Sequence, residues 1–332
     1  MNIDVHAHYV PPQALKMAAE IGARQGLELT NDERGRAVLL RSGKAYLKQL
    51  KAEFSDLDLR LSIMDHQGVD MQVLSPAGSY FFYWMPAVEA VEYARWFNDR
   101  SAEAVAKHPR RFAALASVPL QESGRAAVEL ERAMTRLGLR GAEIASNING
   151  RYLDDPVFDP FWDAAQALGA VLFVHPNQVV GAERMKDYNL ANLVGNPTDT
   201  SLTFARLIFG GVLERFPRLK FLLAHGGGFL PYTWGRLDRG FRIQDSAGAK
   251  ISKAPSDYVR LLYFDTITHS SMALKYLIEN FARTAYSSAA IIRTTWAIPS
   301  RSSPSQKCAS TAPGATRSPA PTPVSFLASV FK

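Results

Sequence analysis

Short apolar runs alternate along this chain with amphipathic stretches, and this alternation constrains the fold more than any other feature of the sequence. Short apolar runs are typical of buried strands, and the stretches between them have helical spacing. Repeated strand–helix units build a parallel sheet, because each helix returns the chain to the same edge. The pattern predicts strands at Ile3–His6, Met71–Ser75, Phe112–Val118, Gly141–Ala145, Val171–His175, Phe221–His225 and Leu261–Asp265.

Helical patterns separate most of these strands, and several strands are apolar on both faces, as in Val171–Val174. Such strands are expected when helices cover one side and a barrel interior fills the other. We therefore predict an α/β fold of the (β/α)8 TIM-barrel type in which strand eight is missing or replaced by the tail. The predicted helices are Ala87–Lys107, Ser123–Leu137, Pro156–Leu168, Thr198–Arg215 and Ser270–Phe281.

The barrel domain is predicted to span residues 1–282. One segment within it, Gln13–Glu53, fits no strand–helix unit. We expect it to form an excursion over the barrel mouth, where loops of such folds contact substrates.

Residues 283–332 have a different composition from the rest of the chain. They contain no Asp or Glu, six Lys or Arg residues, six prolines and the only cysteine, Cys308. The whole chain carries a net charge of +7, but residues 1–282 carry only +1. The basic charge therefore says nothing about the partners of the barrel. The tail also lacks the interleaving of aromatic and basic residues that is typical of nucleic-acid binding, and it has no binding motif, so no nucleic-acid partner is predicted.

Three further features bear on compartment and partners. No apolar run reaches the ~18–20 residues that a membrane span needs. No charged leader with an apolar core precedes the first predicted strand. Residues 1–282 lack cysteine, which excludes disulfides and thiolate metal sites there. We predict a cytoplasmic protein without a membrane partner.

Four of the seven histidines lie at or just beyond the carboxyl ends of predicted strands, the edge at which barrel enzymes build their active sites. His6 and His8 form an H-x-H pair, and residues two apart on a strand point to the same side. Two imidazoles so placed can share one metal ion, and His175 could supply the third ligand that catalytic zinc usually has. The alternatives are a chance pair of surface histidines and, for His175, a core histidine bonded to the backbone.

His225 begins a His-Gly-Gly-Gly run at the end of a predicted strand. Glycines let the backbone approach a ligand closely and leave N–H groups uncovered. The same letters occur in the oxyanion loop of lipase-like hydrolases, but the chain has no G-x-S-x-G nucleophile elbow. We predict that His225 is a general acid/base beside the metal. His66 and His108 are predicted to be solvated helix histidines, and nothing assigns a role to His269.

Together these segments resemble the amidohydrolase-related decarboxylases of the amidohydrolase superfamily, and among them the 2-amino-3-carboxymuconate-6-semialdehyde decarboxylases. The resemblance runs through roughly residues 1–281 with the motifs in family order, which makes it specific. The segments that carry it are His6–His8, Gln67–Pro76, Phe173–Pro176 and His225–Gly228 with Gly235 and Arg236.

The resemblance implies a barrel of the metal-dependent hydrolase type with assigned roles for five residues. His6, His8 and His175 would be metal ligands, and His225 the catalytic base. Arg236 matches an arginine that reaches a substrate carboxylate in the neighbouring subunit of a homodimer. The implied metal is Zn²⁺, with Mn²⁺ as the alternative, and no organic cofactor is implied.

The implied reaction is non-oxidative decarboxylation of a small unsaturated or aromatic carboxylic acid. Two departures from the group predict a substrate other than the one that names it: Leu47 and Lys48 lie where an arginine is expected, and Asn189 and Asn192 replace tryptophans. A metal-dependent hydrolase or hydratase shares the same ligands and is the alternative activity. An inactive pseudoenzyme is a further alternative, for a reason that lies in the tail.

The tail begins just before the segment in which the family places its last metal ligand. That ligand is an aspartate closing strand eight, in a segment like G-A-D-R-V-L-L-G-S-D-Y-P-Y-D-M-G-D-P. Residues 282–299, read back through the standard code with one G added in front, give that segment. We hypothesise that residues 283–332 are an out-of-frame translation after a one-base deletion; a natural Ser/Pro/Thr-rich extension is the alternative. Without strand eight and its aspartate, we expect an unstable and catalytically weak or inactive chain.

Overall fold

The computed structural model describes residues 2–243, 250–281 and 291–292, and its strands confirm the predicted βα order. Gly141–Ala145 and Val171–His175 have the predicted bounds, whereas Phe112–Val118 is shortened to three residues. The strands are β1 (Ile3–Tyr9), β2 (Leu27–Asn31), β3 (Ala37–Arg41), β4 (Lys44–Lys48), β5 (Met71–Pro76), β6 (Phe112–Ala114), β7 (Gly141–Ala145), β8 (Asn147–Ile148), β9 (Arg151–Tyr152), β10 (Val171–His175), β11 (Lys220–Leu223), β12 (Tyr263–Asp265) and β13 (Ile291–Ile292).

The helices include every predicted one, some of them shortened or divided. Thr198–Arg215 is divided after Phe209, because two consecutive glycines follow and glycine is a poor helix former. The helices are α1 (Ala14–Ile21), α2 (Leu57–Gln67), α3 (Ala87–Lys107), α4 (Ser123–Thr135), α5 (Asp159–Leu168), α6 (Asn196–Phe209), α7 (Val212–Arg215), α8 (Leu230–Ile243), α9 (Pro255–Val259) and α10 (Ser271–Phe281). Within the described ranges, none of them combines the length and apolar character needed to span a bilayer.

The parallel strands follow one another in chain order. One sheet has the order β1-β5-β6 and the other the order β13-β12-β11-β10-β7. A parallel bridge between Ala116 and Ala142 links the end of the first sheet to the second. At the opposite end, β13 lies close to β1. This is the neighbour order of a (β/α)8 barrel, and it brings the carboxyl ends of all these strands to one side.

Two apolar layers hold the parallel strands in place. The larger one lies between strands and helices and includes the fully buried Trp162 and Phe221. The second is made by alternate residues of the parallel strands, which face away from the helices. It consists of Ile3, Val5, Met71, Val73, Ala113, Leu115, Val171, Phe173, Leu222, Ala224 and Tyr263. Both faces of the strands are therefore buried, which explains their continuous apolar runs.

The excursion folds as a separate small unit. It contains α1 and an antiparallel sheet of order β2-β3-β4. This unit shares an apolar cluster with Val10 and Tyr80, which follow β1 and β5. It therefore packs beside the carboxyl ends of these two strands.

The prediction that strand eight is missing or replaced by the tail stays a prediction, and it bears on two tail residues that the structure describes, Ile291 and Ile292. These residues form β13, which pairs in parallel with β12. A sheet edge can pair with any extended segment through backbone hydrogen bonds, and β-branched isoleucine favours extended backbone. The other residues of the 283–332 tail lie outside the described residues, so the frameshift hypothesis stays a prediction.

Candidate active site

The two histidines of the H-x-H motif converge because β1 is irregular. Its register against β5 shifts between Asp4 and Ala7. Nε2 of His6 and Nε2 of His8 lie 3.2 Å apart. Two nitrogens bound to one tetrahedral zinc at ~2.0–2.1 Å would be about 3.3 Å apart. The pair therefore has the spacing of two ligands of one ion.

His175, the last residue of β10, completes a group of three possible ligands. One ligand atom each from His6, His8 and His175 lie within 4.8 Å of one another. His6 is 4 % exposed and His8 and His175 are half-buried, so the group opens towards solvent on one side only. Burial and the neighbouring imidazoles hold the pKa of His6 and of His175 well below its ordinary value. Neutral imidazole is the form that binds a metal.

The second ring nitrogens of these three residues already have partners. Nδ1 of His8 lies 3.1 Å from the carbonyl oxygen of Pro76, and Nδ1 of His175 lies 3.0 Å from that of Pro176. A carbonyl only accepts hydrogen bonds, so each Nδ1 is the protonated nitrogen and each Nε2 keeps a free lone pair. Metal-binding histidines are typically held in this way, and the residues present fit a divalent metal.

Asp265, at the end of β12, holds the candidate ligand His6 and was not singled out from the sequence. Its Oδ2 lies 2.7 Å from Nδ1 of His6 and accepts a hydrogen bond from the backbone N–H of His225 at 2.8 Å. Its Oδ1 accepts from the N–H groups of Gly226 and Ile267 at 2.7 and 3.0 Å. This fully buried carboxylate therefore links a metal ligand to the loop that carries the candidate base.

Glu143 is a second buried carboxylate that sequence reasoning missed. It lies on β7, is 0 % exposed, and its Oε2 lies 3.5 Å from Nδ1 of His8. Burial raises the pKa of Glu143, while His8 opposes that shift. Burial alone would lower the pKa of His8, but the adjacent Glu143 raises it above its ordinary value. Glu143 therefore favours a proton on Nδ1, which leaves Nε2 of His8 to face the metal position.

His225 lies beside the ligand group, as predicted for an acid/base. Its ring centroid is 5.0 Å from that of His175 and 5.2 Å from that of His6. Its Nδ1 is buried and has no hydrogen-bond partner in the part of the chain that the structure describes. Burial lowers the pKa of His225, so the imidazole is neutral at pH 7 and able to accept a proton.

The glycines after His225 serve the fold rather than a ligand, which corrects the prediction of uncovered N–H groups. The N–H of Gly226 donates to Asp265, and that of Gly228 donates to the carbonyl of His225. Both have positive φ, +62° and +63°. A Cβ at Gly228 would lie 2.3 Å from the carbonyl oxygen of Pro197. The run is thus required for a tight turn that packs its backbone against other parts of the chain.

The remaining candidates lie apart from this cluster. Arg236 is exposed on α8 and is not among the residues that contact the histidines. His66 is exposed on α2, and His108 is half-buried against Phe112 at the end of α3. His269 is the exception: it is exposed in the loop after β12 but lies near enough to His225 to lower the pKa of that imidazole.

Comparison with known proteins places this site in a family. The amidohydrolase family model matches residues 3–290. The chain belongs to the amidohydrolase family. It is 36% identical over 280 residues to a 2-amino-3-carboxymuconate-6-semialdehyde decarboxylase of Dictyostelium discoideum, covering 84% of this chain and 78% of that protein. It is 33% identical over 209 residues to a gamma-resorcylate decarboxylase of Polaromonas, covering 57% of this chain and 62% of the relative.

Two solved structures that match the chain are likewise decarboxylases. The 5-carboxyvanillate decarboxylase of Sphingomonas paucimobilis superimposes with a TM-score of 0.73 at 29% identity, covering 88% of each chain. A dihydroxybenzoic acid decarboxylase from Polaromonas, solved with bound manganese and the inhibitor 2-nitroresorcinol, gives a TM-score of 0.69 at 25% identity, covering 88% of this chain and 86% of that one. The comparisons confirm the prediction of a carboxy-lyase of the amidohydrolase superfamily.

Proposed function

We propose that this chain is a metal-dependent, non-oxidative decarboxylase of a small aromatic or unsaturated carboxylic acid, built on a closed (β/α)8 barrel. The observation that carries the proposal is the convergence of His6, His8 and His175, with each Nδ1 already held by an acceptor. Decarboxylation is the activity named for the relatives and for two of the solved structures, and this supports the choice of reaction class.

The bound metal would act as a Lewis acid that polarises substrate oxygens and makes water easier to deprotonate. His225 is neutral and half-buried, so it can take up a proton as base and deliver it to the carbon that bears the carboxylate. The new C–H bond takes an electron pair from the π system of the substrate. When the C–C bond to the carboxylate breaks, its pair returns to the π system and CO2 leaves.

Zinc is our proposed metal, on the basis of the donor set. Within the described residues the ligand group consists of three imidazoles and contains no carboxylate. Imidazole nitrogens suit zinc, whereas carboxylate and water oxygens suit manganese. Elemental analysis of the purified protein decides between the two, and stoichiometric manganese would contradict zinc.

The substitution His225→Asn tests the proposed roles. We expect ~10²–10⁴-fold slower CO2 release from aromatic and muconate-type acids, with unchanged metal content, because His225 moves protons and is not a ligand. His66→Asn, which changes an exposed histidine on α2 outside the ligand group, is the matched control and should keep parental activity. Ring opening without CO2 release would contradict the decarboxylase in favour of the hydrolase. Stoichiometric metal with no turnover at all would favour a pseudoenzyme.

We further propose that the chain is a homodimer in which Arg236 binds the substrate carboxylate in the active site of the second copy. Arg236 is exposed on α8 and does not reach the histidines of its own chain. Tyr232, one turn earlier on the same face, is 84 % exposed, and Phe229 nearby is 44 % exposed. An arginine next to exposed aromatic side chains is typical of an interface.

Mixing two inactive variants tests this arrangement. Arg236→Ala and His225→Asn subunits should each be inactive alone. A mixed dimer has one site with both parental residues, so mixing should restore part of the activity. Absence of recovery despite subunit exchange, or a monomeric parent protein, would contradict the shared site.

A further inference from the structure

A chain of buried polar groups joins α2 to the H-x-H strand. A guanidinium N–H of Arg60 on α2 donates to the backbone carbonyl of His8 at 2.7 Å, and another donates to Oε1 of Gln72 at 3.0 Å. Nε2 of Gln72 donates to Oδ2 of Asp4 at 2.9 Å. Oδ1 of Asp4 accepts from the backbone N–H of His6 at 3.2 Å. The chain thus begins at one candidate metal ligand and ends at the other.

All three of these side chains are buried: Asp4 is 2 % exposed, and Arg60 and Gln72 are each 6 % exposed. Burial lowers the pKa of Arg60 to about 10, while the charge of Asp4 opposes the shift, so Arg60 stays charged at neutral pH. A charge this deep is costly unless it is paired and hydrogen-bonded. A helix–sheet contact would be stabilised more simply by apolar residues, so these groups call for a specific role.

The network spans the irregular part of β1. The register of β1 against β5 shifts between Asp4 and Ala7, so the bonded N–H of His6 lies at this shift, whereas His8 pairs in register with Ser75 just beyond it. Backbone groups at a bulge lose regular ladder partners. Asp4, within the strand, supplies a partner for the N–H of His6, and Arg60, on α2, supplies one for the carbonyl of His8. These two bonds fix the peptide orientations that set the direction of both imidazoles.

We infer that Arg60, Gln72 and Asp4 are positioning residues that hold His6 and His8 at the separation required to bind one metal ion. The inference rests on the proposed metal site but not on the proposed substrate or reaction. Because the network contacts only the backbone of the ligands, it acts on their geometry and not on their chemistry.

The direction of each hydrogen bond makes the inference testable. Arg60 can only donate, so Gln72 must turn its oxygen towards Arg60 and its NH2 towards Asp4. That side of Asp4 must therefore accept. In Asp4→Asn the NH2 group of residue 4 faces the NH2 group of Gln72. In Gln72→Glu the carboxylate of residue 72 faces that of Asp4. In the double variant the new amide of residue 4 donates to the new carboxylate of residue 72, so this bond is restored with reversed polarity. The bonds donated by Arg60 and by the N–H of His6 keep their direction, and the net charge is unchanged.

The test is a double-mutant cycle read by the affinity for Co²⁺, whose visible absorption reports ligand geometry. We expect each single substitution to weaken Co²⁺ binding by ~10–100-fold, the range found for residues that orient ligands. The double variant should return to within about threefold of the parent and recover its Co²⁺ spectrum. Thermal unfolding is followed in parallel to separate affinity from stability.

Glu129→Gln is the matched control. Glu129 lies on α4, is an equally buried carboxylate, and accepts hydrogen bonds from the amide of Asn98 and from Arg132. It should lower the unfolding temperature and leave Co²⁺ affinity unchanged.

Parental affinity in both single variants, or a double variant weaker than either, would overturn the inference. If the single variants do not fold, the double variant still decides: parental affinity supports the network, and failure to fold or to bind overturns it. A parent protein that does not bind Co²⁺ would instead overturn the metal site itself.

Discussion

Asp265 accepts hydrogen bonds from four separate donors, and three of these are backbone N–H groups. Each oxygen receives two of them, so the carboxylate cannot be replaced by a group with a single acceptor atom. A carboxylate that receives the Nδ1–H of a ligand histidine also makes the opposite nitrogen a better donor to the metal.

We predict that Asp265→Asn weakens metal binding by ~10–100-fold and lowers the unfolding temperature. The amide can adopt two orientations, and in each of them its NH2 group lies against two hydrogen-bond donors. In one of the two, the NH2 group faces the ring of His6. Equilibrium dialysis with Zn²⁺ measures the affinity. Asp257→Asn, an exposed aspartate on α9, is the control and should match the parent. Unchanged Zn²⁺ affinity in Asp265→Asn would remove Asp265 from the site.

The site could be predicted from the sequence only in part. The four histidines stand out because histidine is rare and each follows an apolar strand. Asp265 and Glu143 occupy comparable strand positions, but acidic residues are common, and nothing in the sequence separates a buried carboxylate from an exposed one. The Arg60 network was beyond prediction, since it depends on a register shift within β1.

Among the elements, the loop between β11 and α8 is the most constrained. Gly228 has a φ of +63°, and its Cα faces the backbone of Pro197 at the start of α6. Any side chain there must therefore move α6 or the loop, and His225 lies three residues away. The position of the candidate base thus depends on a contact between two elements.

We predict that Gly228→Ala lowers the free energy of unfolding by roughly 1–3 kcal/mol and reduces activity by displacing His225. Gly235→Ala is the matched control: it lies within α8, nothing lies within 4 Å of the added Cβ, and alanine favours a helix. The control should therefore raise the free energy of unfolding by up to about 1 kcal/mol. Denaturant titration measures both, and an equally stable Gly228→Ala variant would contradict the packing argument.

Strand–helix alternation predicted the elements well where periodicity was strong, as in α3 and β10, whose bounds agree with the prediction. It predicted a helix at His66 but gave no bounds for α2, which has little amphipathic character because Arg60 is one of its two buried residues and Leu59 is exposed. It also missed the antiparallel sheet of the excursion, whose strands are mostly exposed and polar. Tertiary contacts, rather than local pattern, define these elements.

At the scale of the whole molecule, several buried tyrosines set an alkaline limit. Burial raises the pKa of Tyr80 to about 12, and burial together with Asp199 raises that of Tyr152 to about 12. Burial also raises the pKa of Tyr83 and of Tyr93. In the unfolded chain these phenols ionise near pH 10. Between these pH values the folded state therefore binds more protons than the unfolded state.

We predict that the free energy of unfolding falls as pH rises from about 10 to about 12, because ionisation of these phenols favours the unfolded chain. Denaturant titrations across this range measure the slope, and tyrosinate absorbance follows the ionisation. Tyr80→Phe removes one of the groups and should flatten the slope. A stability that does not change up to about pH 12 would contradict the prediction.

The frameshift hypothesis makes a prediction for the complete protein. Adding one base ahead of the codon for Ala282 should restore a strand-eight aspartate and with it a fourth ligand. We expect tighter Zn²⁺ binding and a higher unfolding temperature, because a ligand at 100 times its Kd adds about 2.7 kcal/mol to stability. Calorimetry with and without Zn²⁺ measures the gain. An uninterrupted reading frame on resequencing, or no gain on restoration, would contradict the hypothesis.

The three histidines of the proposed metal centre are buried to different depths, and this sets the order in which an entering ion would contact them. His8 and His175 are half-buried, whereas His6 lies deepest and is joined to Asp265 beneath it. An ion arriving from solvent would therefore meet the two shallow imidazoles first and His6 last. A chelator would remove it in the reverse order, so His6 and Asp265 would set how long the ion stays in the protein.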